Sequence, residues 1–270
     1  MTRATLVEQI RKKRNYLCVG LDTDPGKLPI FLKNYPDPVF EFNKRIIDAT
    51  LAHCVAYKIN TAFYEVSGPS GWESMQKTAD YIPSTHFKIA DAKRGDIGNT
   101  SSLYARTFFE SLAFDAVTVA PYMGEDSIRP FLEYTGKWTI LLGLTSNTGA
   151  ADFQLQTLES GPLYESVIRK SSLWGTTENL MFVIGATQAS WLSSIRAIAP
   201  DHFYLVPGIG AQGGNLKEIS EKALNKDAGL LVNASRAIIY AGSGEDFAEK
   251  AGIVAAGYAA EMGIYLENNR

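Results

Sequence analysis

Residues 86–100 read HFKIADAKRGDIGNT, an apolar run that closes on four charges within residues 91–96. The run has the β-branched and apolar character of a strand, and Gly95 punctuates it. The same signal recurs at 16–22 (YLCVGLD), 54–60 (CVAYKIN), 116–121 (AVTVAP) and 138–145 (WTILLGLT). It returns at 180–187 (LMFVIGAT), 202–210 (HFYLVPGIG) and 228–235 (AGLLVNAS). Near-continuous hydrophobicity of this kind fits strands covered on both faces.

Most of these runs are separated by a stretch readable as helix, at 38–51, 100–112, 163–171, 188–198 and 215–224. Residues 5–15 predict a helix before the first strand and 245–266 a last outer helix, while 146–179 mixes loop with helix. Alternating strands and helices imply a parallel sheet. An eight-fold alternation over 270 residues specifies the α/β class and a closed (β/α)8 TIM barrel, because an open doubly wound sheet usually stops at about five to seven strands. Length alone suggests two domains, but barrels reach this size as one. No linker or low-complexity tract divides the chain, so a single domain over 1–270 is expected.

With 46% apolar and 20% charged residues the chain can bury a large core, and disorder is not indicated. A net charge of −3 argues against nucleic-acid or anionic-membrane partners, which need a basic excess. The two cysteines, Cys18 and Cys54, lie inside strand runs and suggest neither disulfides nor a zinc site. No signal-peptide core and no apolar run of about 20 residues is present. A cytoplasmic enzyme or binding protein is the expectation.

In a barrel, chemistry sits at the C-terminal ends of the strands. Polar residues gather there: Asp22 after the first strand, Lys58 and Asn60 on the second, Asp91 and Lys93 on the third, Thr145 and Ser146 on the fifth. Asn233, Ser235 and Arg236 end the eighth. Strand alternation puts Asp91 and Lys93 on one face, with Cα atoms ~7 Å apart. Lys58 joins them from the neighbouring strand, so Lys58, Asp91, Lys93 and Asp96 form a row in which each ion stands beside an opposite one, which keeps buried charge tolerable. A surface ion-pair cluster would use the same residue types, but two of these charges lie within the strand pattern itself. Asn99 or Thr100 is predicted to cap a helix beginning at Ser101. Arg94-Gly95-Asp96 imitates an adhesion tripeptide and is discounted at a strand end.

The stretch VPGIGAQGGN contains Gly208-x-Gly210-x-x-Gly213. As a dinucleotide fingerprint it is weak, since it follows the seventh strand and lacks an acidic ribose ligand downstream. The loops after strands seven and eight of a barrel form a phosphate site from backbone N–H groups, with Gln212 donating and Arg236 pairing bidentately. The histidines His53, His86 and His202 precede or begin strands, at the end remote from chemistry, and fit structural roles.

Asp91-x-Lys93-x-x-Asp96-Ile97-x-x-Thr100, with Gly20-Leu-Asp22, Lys58, Pro207-Gly-Ile-Gly-Ala-Gln212 and Arg236, resembles the orotidine 5'-phosphate decarboxylase family over essentially the whole chain, in its larger bacterial branch. The resemblance implies a dimeric (β/α)8 barrel that converts orotidine 5'-monophosphate to uridine 5'-monophosphate and carbon dioxide, in pyrimidine biosynthesis, with no metal and no organic cofactor. It implies that Lys93 protonates C6 and that Asp91 holds Lys93 and contacts ribose. Asp96, Ile97 and Thr100 would enter the partner subunit's site, and Asp22 and Lys58 would bind ribose hydroxyls. Ser146 would contact the pyrimidine, and Pro207, Gly208, Gly210, Gln212 and Arg236 would receive the phosphate. Thr148 stands where the resemblance implies proline. A magnesium-dependent decarboxylase or hexulose-phosphate synthase of the same superfamily shares the Asp-x-Lys-x-x-Asp core but carries an acidic metal site, for which no clear extra ligand is visible. A noncatalytic phosphate-binding barrel is the alternative from another class.

Overall fold

Each predicted strand run yields a strand in the computed structural model, which describes residues 1–210 and 213–269. The strands are Leu17–Gly20, Ala56–Asn60, Phe87–Arg94, Ala116–Val119, Trp138–Leu144, Leu180–Ile184, Phe203–Pro207 and Leu230–Ala234. Each pairs in parallel with its neighbour in the chain, and the first closes on the eighth with Leu17 opposite Val232. The barrel is therefore the (β/α)8 form that the alternation implied. A two-stranded antiparallel pair, Thr157–Leu158 with Gly161–Pro162, sits in the long connection after the fifth strand.

The N-terminal end of the barrel is plugged by aromatic side chains. Phe87, Trp138 and Phe203 open the third, fifth and seventh strands, and their rings meet nearly edge to face at 6.0 and 6.2 Å. Alternate strands touch only through the interior, so these rings form one inward layer of the kind barrels stack. Chemistry is left to the opposite rim. His86 and His202 directly precede the third and seventh strands at the plugged end. The His86 Nε2 lies 2.8 Å from the Leu51 carbonyl and 2.6 Å from Lys13 Nζ. Cys18 and Cys54 are buried free thiols.

The helices at Arg3–Lys13, Pro38–Thr50, Leu163–Ser171, Leu216–Ala223 and Phe247–Asn268 match the predicted stretches to within about two residues. The stretch predicted over 188–198 divides into a tight turn, Ala186–Trp191, and the helix Leu192–Ile198. Two helices of eight residues or more lie outside the predicted stretches. Gly68–Tyr81 opens GPSG, which reads as loop, and Glu125–Leu132 carries Pro130. Gly71 is required there, because a Cβ would lie 1.8 Å from the Tyr64 carbonyl oxygen. The predicted cap at Asn99 or Thr100 is corrected: the helix is Gly98–Arg106, starts two residues before Thr100, and has Ile97 at its N-cap without a side-chain bond. The Asp96 carboxylate instead accepts from the Ile97 N–H at 2.8 Å. No helix among the described residues is long and apolar enough to cross a membrane.

Candidate active site

The polar rim encloses a cavity of about 530 Å³ at the C-terminal ends of the strands. Leu142, Val183 and Leu205 form its apolar floor, and charged groups from the first three strands form one wall. Lys58 is only 2% exposed. Its ammonium donates to Asp22 Oδ1 at 3.2 Å and to Asp91 Oδ2 at 3.0 Å. Asp91 Oδ1 accepts from Lys93 Nζ at 2.6 Å and from the Thr118 hydroxyl at 3.0 Å.

Asp91 is thus the hub of the wall, with three donors on its two oxygens. Burial works to raise its pKa, but Lys58 and then Lys93 outweigh burial and hold the carboxyl well below the usual carboxylate range. Burial likewise works against the Lys58 charge, and Asp22 and Asp91 together push its pKa above the ordinary lysine value. Both groups therefore stay ionised through neutral pH. Lys93 is the half-exposed member, its side chain 50% accessible and its ammonium reaching the open cavity.

Strand alternation alone does not deliver Lys93 to this position. The pairing of the third strand with the fourth slips between Ala90 and Arg94, and Lys93 has φ 47°. A non-glycine residue in that left-handed region costs about 1–3 kcal/mol, so other contacts must hold it there. One of them is visible: the Lys93 N–H donates to Thr118 Oγ1 at 2.9 Å. Arg94 turns away from the cavity, pairs with Glu65 and lies over the Tyr104 and Phe108 rings, which accounts for the second cation of the motif.

After the seventh and eighth strands, Pro207, Gly208 and Ile209 line the cavity together with Arg236. Arg236 forms no ion pair with a carboxylate among the described residues, which leaves a guanidinium available to an anion beside a glycine loop. Gly208 and Gly210 have φ 107° and 73°. A Cβ on Gly210 would also lie 2.7 Å from the Tyr258 hydroxyl. Gly210 shapes the loop rather than lining the cavity, and Gln212 lies outside the described residues. On the third side Ser146 and Asn147 face the cavity. Their loop is tied down by Gln154, which accepts from the Thr145 N–H and donates to the Thr145 hydroxyl, both at 2.8 Å. At Thr148 the chain turns without proline, closed by bonds from Ala150 to Asn147 and from Ala151 to Thr148.

Of the residues singled out from sequence, Asp22, Lys58, Asp91, Lys93, Ser146, Pro207, Gly208 and Arg236 meet around this one cavity. Asp96, Ile97 and Thr100 do not line it. Within one chain the charged row is Asp22, Lys58, Asp91 and Lys93, and Asp96 stands apart from it. Asp96 has no cationic partner among the described residues, and Ile97 is 59% exposed. Thr118 and Gln154 are not among the residues that the sequence patterns single out. Thr118 is the only hydroxyl in AVTVAP, a signal that was available; Gln154 lay in a connection with no strand pattern to place it. Asn233 also lines the cavity, 5% exposed, with its Oδ1 unbonded. Among the described residues no group of three or more His, Cys, Asp or Glu is placed to hold a metal ion.

A family model described as Orotidine 5'-phosphate decarboxylase / HUMPS family matches residues 15–251. The chain belongs to this family. A relative from Christiangramia forsetii, named orotidine 5'-phosphate decarboxylase, is 56% identical over 272 residues, covering 99% of both chains. One of the same name from Phocaeicola vulgatus is 57% identical over 266 residues, covering 97% of this chain and 98% of the relative. Among solved structures, the Leishmania donovani OMP decarboxylase is similar with a TM-score of 0.82 at 33% identity, covering 98% of this chain and 99% of that one. A Toxoplasma gondii structure titled as a putative orotidine-monophosphate-decarboxylase reaches a TM-score of 0.86 at 33% identity, covering 97% and 96% of the two chains.

Proposed function

We propose that this orotidine 5'-phosphate decarboxylase family member is a single-domain cytoplasmic enzyme that removes carbon dioxide from orotidine 5'-monophosphate and releases uridine 5'-monophosphate for pyrimidine biosynthesis. The observation that carries the reading is the Lys93 ammonium, held at 2.6 Å by Asp91 and open to a cavity that Arg236 also lines. Loss of carbon dioxide from C6 leaves a carbanion in the plane of the ring, where no adjacent carbonyl delocalises it. A fixed ammonium stabilises that localised charge and then delivers its proton to the same carbon.

The other residues divide the substrate among them. Arg236 and the loop of Pro207 and Gly208, shaped by Gly210, receive the phosphate, with Gln212. Asp22 and Lys58 bind the ribose hydroxyls, and Ser146 contacts the pyrimidine. Asp22 and Asp91 are both engaged by Lys58, which favours chemistry without a metal. Decarboxylation of orotidine 5'-monophosphate, followed by its ultraviolet change on adding metal-free protein, tests the whole reading. Activity abolished by EDTA and restored by magnesium would overturn it, as would binding of uridine 5'-monophosphate by a protein that never consumes the substrate.

Arg236→Ala is expected to raise KM by about ten- to a hundredfold, the loss of a charge-assisted hydrogen bond, with a smaller change in kcat. Steady-state kinetics with the phosphorylated substrate check this, and an unchanged KM would place the phosphate elsewhere.

We further propose a homodimer in which Asp96, Ile97 and Thr100 enter the partner's cavity. Support comes from their position outside their own cavity and from the exposed apolar side chains of Ile97, Leu103, Tyr122 and Met123, on the segments that follow the third and fourth strands. Mixing inactive Lys93→Ala and Asp96→Ala proteins should then restore activity. Half of randomly exchanged dimers are hybrids, and each hybrid has one intact site, so recovery should approach about a quarter of the wild-type rate. No recovery despite proven subunit exchange would exclude the shared site.

A further inference from the structure

We infer that Thr118, in the middle of the fourth strand, is a positioning residue for the reaction: its hydroxyl ties the backbone of Lys93 to the carboxylate of Asp91. The inference rests on the decarboxylase reading given above.

The bond directions leave no ambiguity. The Lys93 N–H can only donate, and it reaches Thr118 Oγ1 at 2.9 Å. The Asp91 carboxylate is ionised and can only accept, so the hydroxyl proton of Thr118 points to Asp91 Oδ1 at 3.0 Å. A single hydroxyl thus accepts from the residue that carries the ammonium and donates to the residue that holds it.

This connection falls where the strand ladder fails. Parallel pairing between the third and fourth strands runs through Ile89–Ala116 and Ala90–Val117, then resumes only at Arg94–Val119. Within that gap Lys93 takes its left-handed backbone conformation. A partly buried N–H without a ladder partner needs another acceptor, and Thr118, itself fully buried, supplies it. Asp91 Oδ1 meanwhile has two donors, the Lys93 ammonium at 2.6 Å and the Thr118 hydroxyl. Without the hydroxyl, Asp91 is free to turn toward Lys58, and the ammonium loses both its fixed backbone and its oriented partner. Rate then falls because the proton donor is misplaced, while phosphate and ribose contacts on other strands remain.

Thr118→Val keeps the shape and removes the hydroxyl; Thr118→Ser keeps the hydroxyl and removes the methyl. The Val variant is expected to lose about ten- to a hundredfold in kcat with KM changed less than about threefold. The Ser variant should stay within about threefold of the wild type in kcat, even where its melting temperature is the lower of the two. Wild-type kcat in the Val variant, or an equal loss in both variants, would overturn the inference, since a packing role follows shape rather than the hydroxyl. If the Val variant does not fold, Thr118→Ala set against Thr118→Ser makes the same comparison.

Hydrogen exchange at the Lys93 amide is independent of turnover. It should be slow in the wild type and the Ser variant and fast in the Val variant; equal rates in all three would overturn the anchoring. A wild-type protein with no turnover would defeat the decarboxylase reading, and exchange would still decide whether Thr118 anchors Lys93.

Discussion

Lys93→Ala is expected to lose at least about a thousandfold in kcat while binding uridine 5'-monophosphate within a few-fold of the wild type. An ammonium about 4 Å from a developing negative charge, at an effective dielectric near 20, contributes ~4 kcal/mol, which is about a factor of a thousand in rate. On the proposed reading ground-state binding falls to other groups, Arg236 and the glycine loop for the phosphate and Asp22 with Lys58 for the ribose. Single-turnover rates and calorimetric binding of the product separate the two effects. A near-normal kcat would remove Lys93 from the chemistry. The ~4 kcal/mol falls short of the ~8–23 kcal/mol that enzymes supply, so phosphate and ribose contacts must contribute remote binding energy to the transition state.

Asp91→Ala is expected to damage both activity and stability. Lys58 would keep Asp22 at 3.2 Å but lose its closer partner, and Lys93 would lose its only one among the described residues. Removing one member of a buried ion pair costs about 3 kcal/mol or more, which for a chain of this size lowers the melting temperature by roughly 10 °C. The kcat should fall about as far as in Lys93→Ala, because an unheld ammonium is not preorganised. The pH dependence has a defined sign. Asp91 has its pKa lowered by folding, so its contribution is complete above the ordinary carboxylate pKa and is lost as pH falls through the folded value. Lys58 has its pKa raised, so its contribution is complete below the ordinary lysine pKa and is lost as pH rises through the folded value. The stability difference between wild type and Asp91→Ala should therefore be flat between about pH 5 and 9. A difference that disappears within that range would show that the pair is not ionised as assigned.

The barrel was legible because buried parallel strands are written as continuous apolar runs, and those runs survive without knowledge of their neighbours. LMFVI and LLVNA could be placed from their own residues. The helices were less legible where their first turn carries loop chemistry. GPSG at 68–71 reads as a turn, yet it begins a helix because Gly71 packs against the Tyr64 carbonyl, a contact from a preceding short helix. Pro130 similarly hid the helix Glu125–Leu132. The cap near Thr100 was misplaced because Asn and Thr are good caps in isolation, whereas the chain here already enters the helix at Gly98.

Most of the cavity's charged residues could be read from strand ends, since a barrel gathers such ends on one rim whatever its loops do. Local chemistry and the period of burial therefore settled the eight-fold architecture, and pointed to the rim that bears the cavity and to the candidates Asp22, Lys58, Asp91, Lys93 and Arg236. Long-range register settled the rest. Asp22 joins the charged row because the first and second strands pair with Gly20 opposite Lys58. Thr118 meets Asp91 because the third and fourth strands slip by a bulge. These pairings join residues 27 and 36 positions apart in the chain, and no local pattern of hydrophobicity encodes a distance between side chains on different strands.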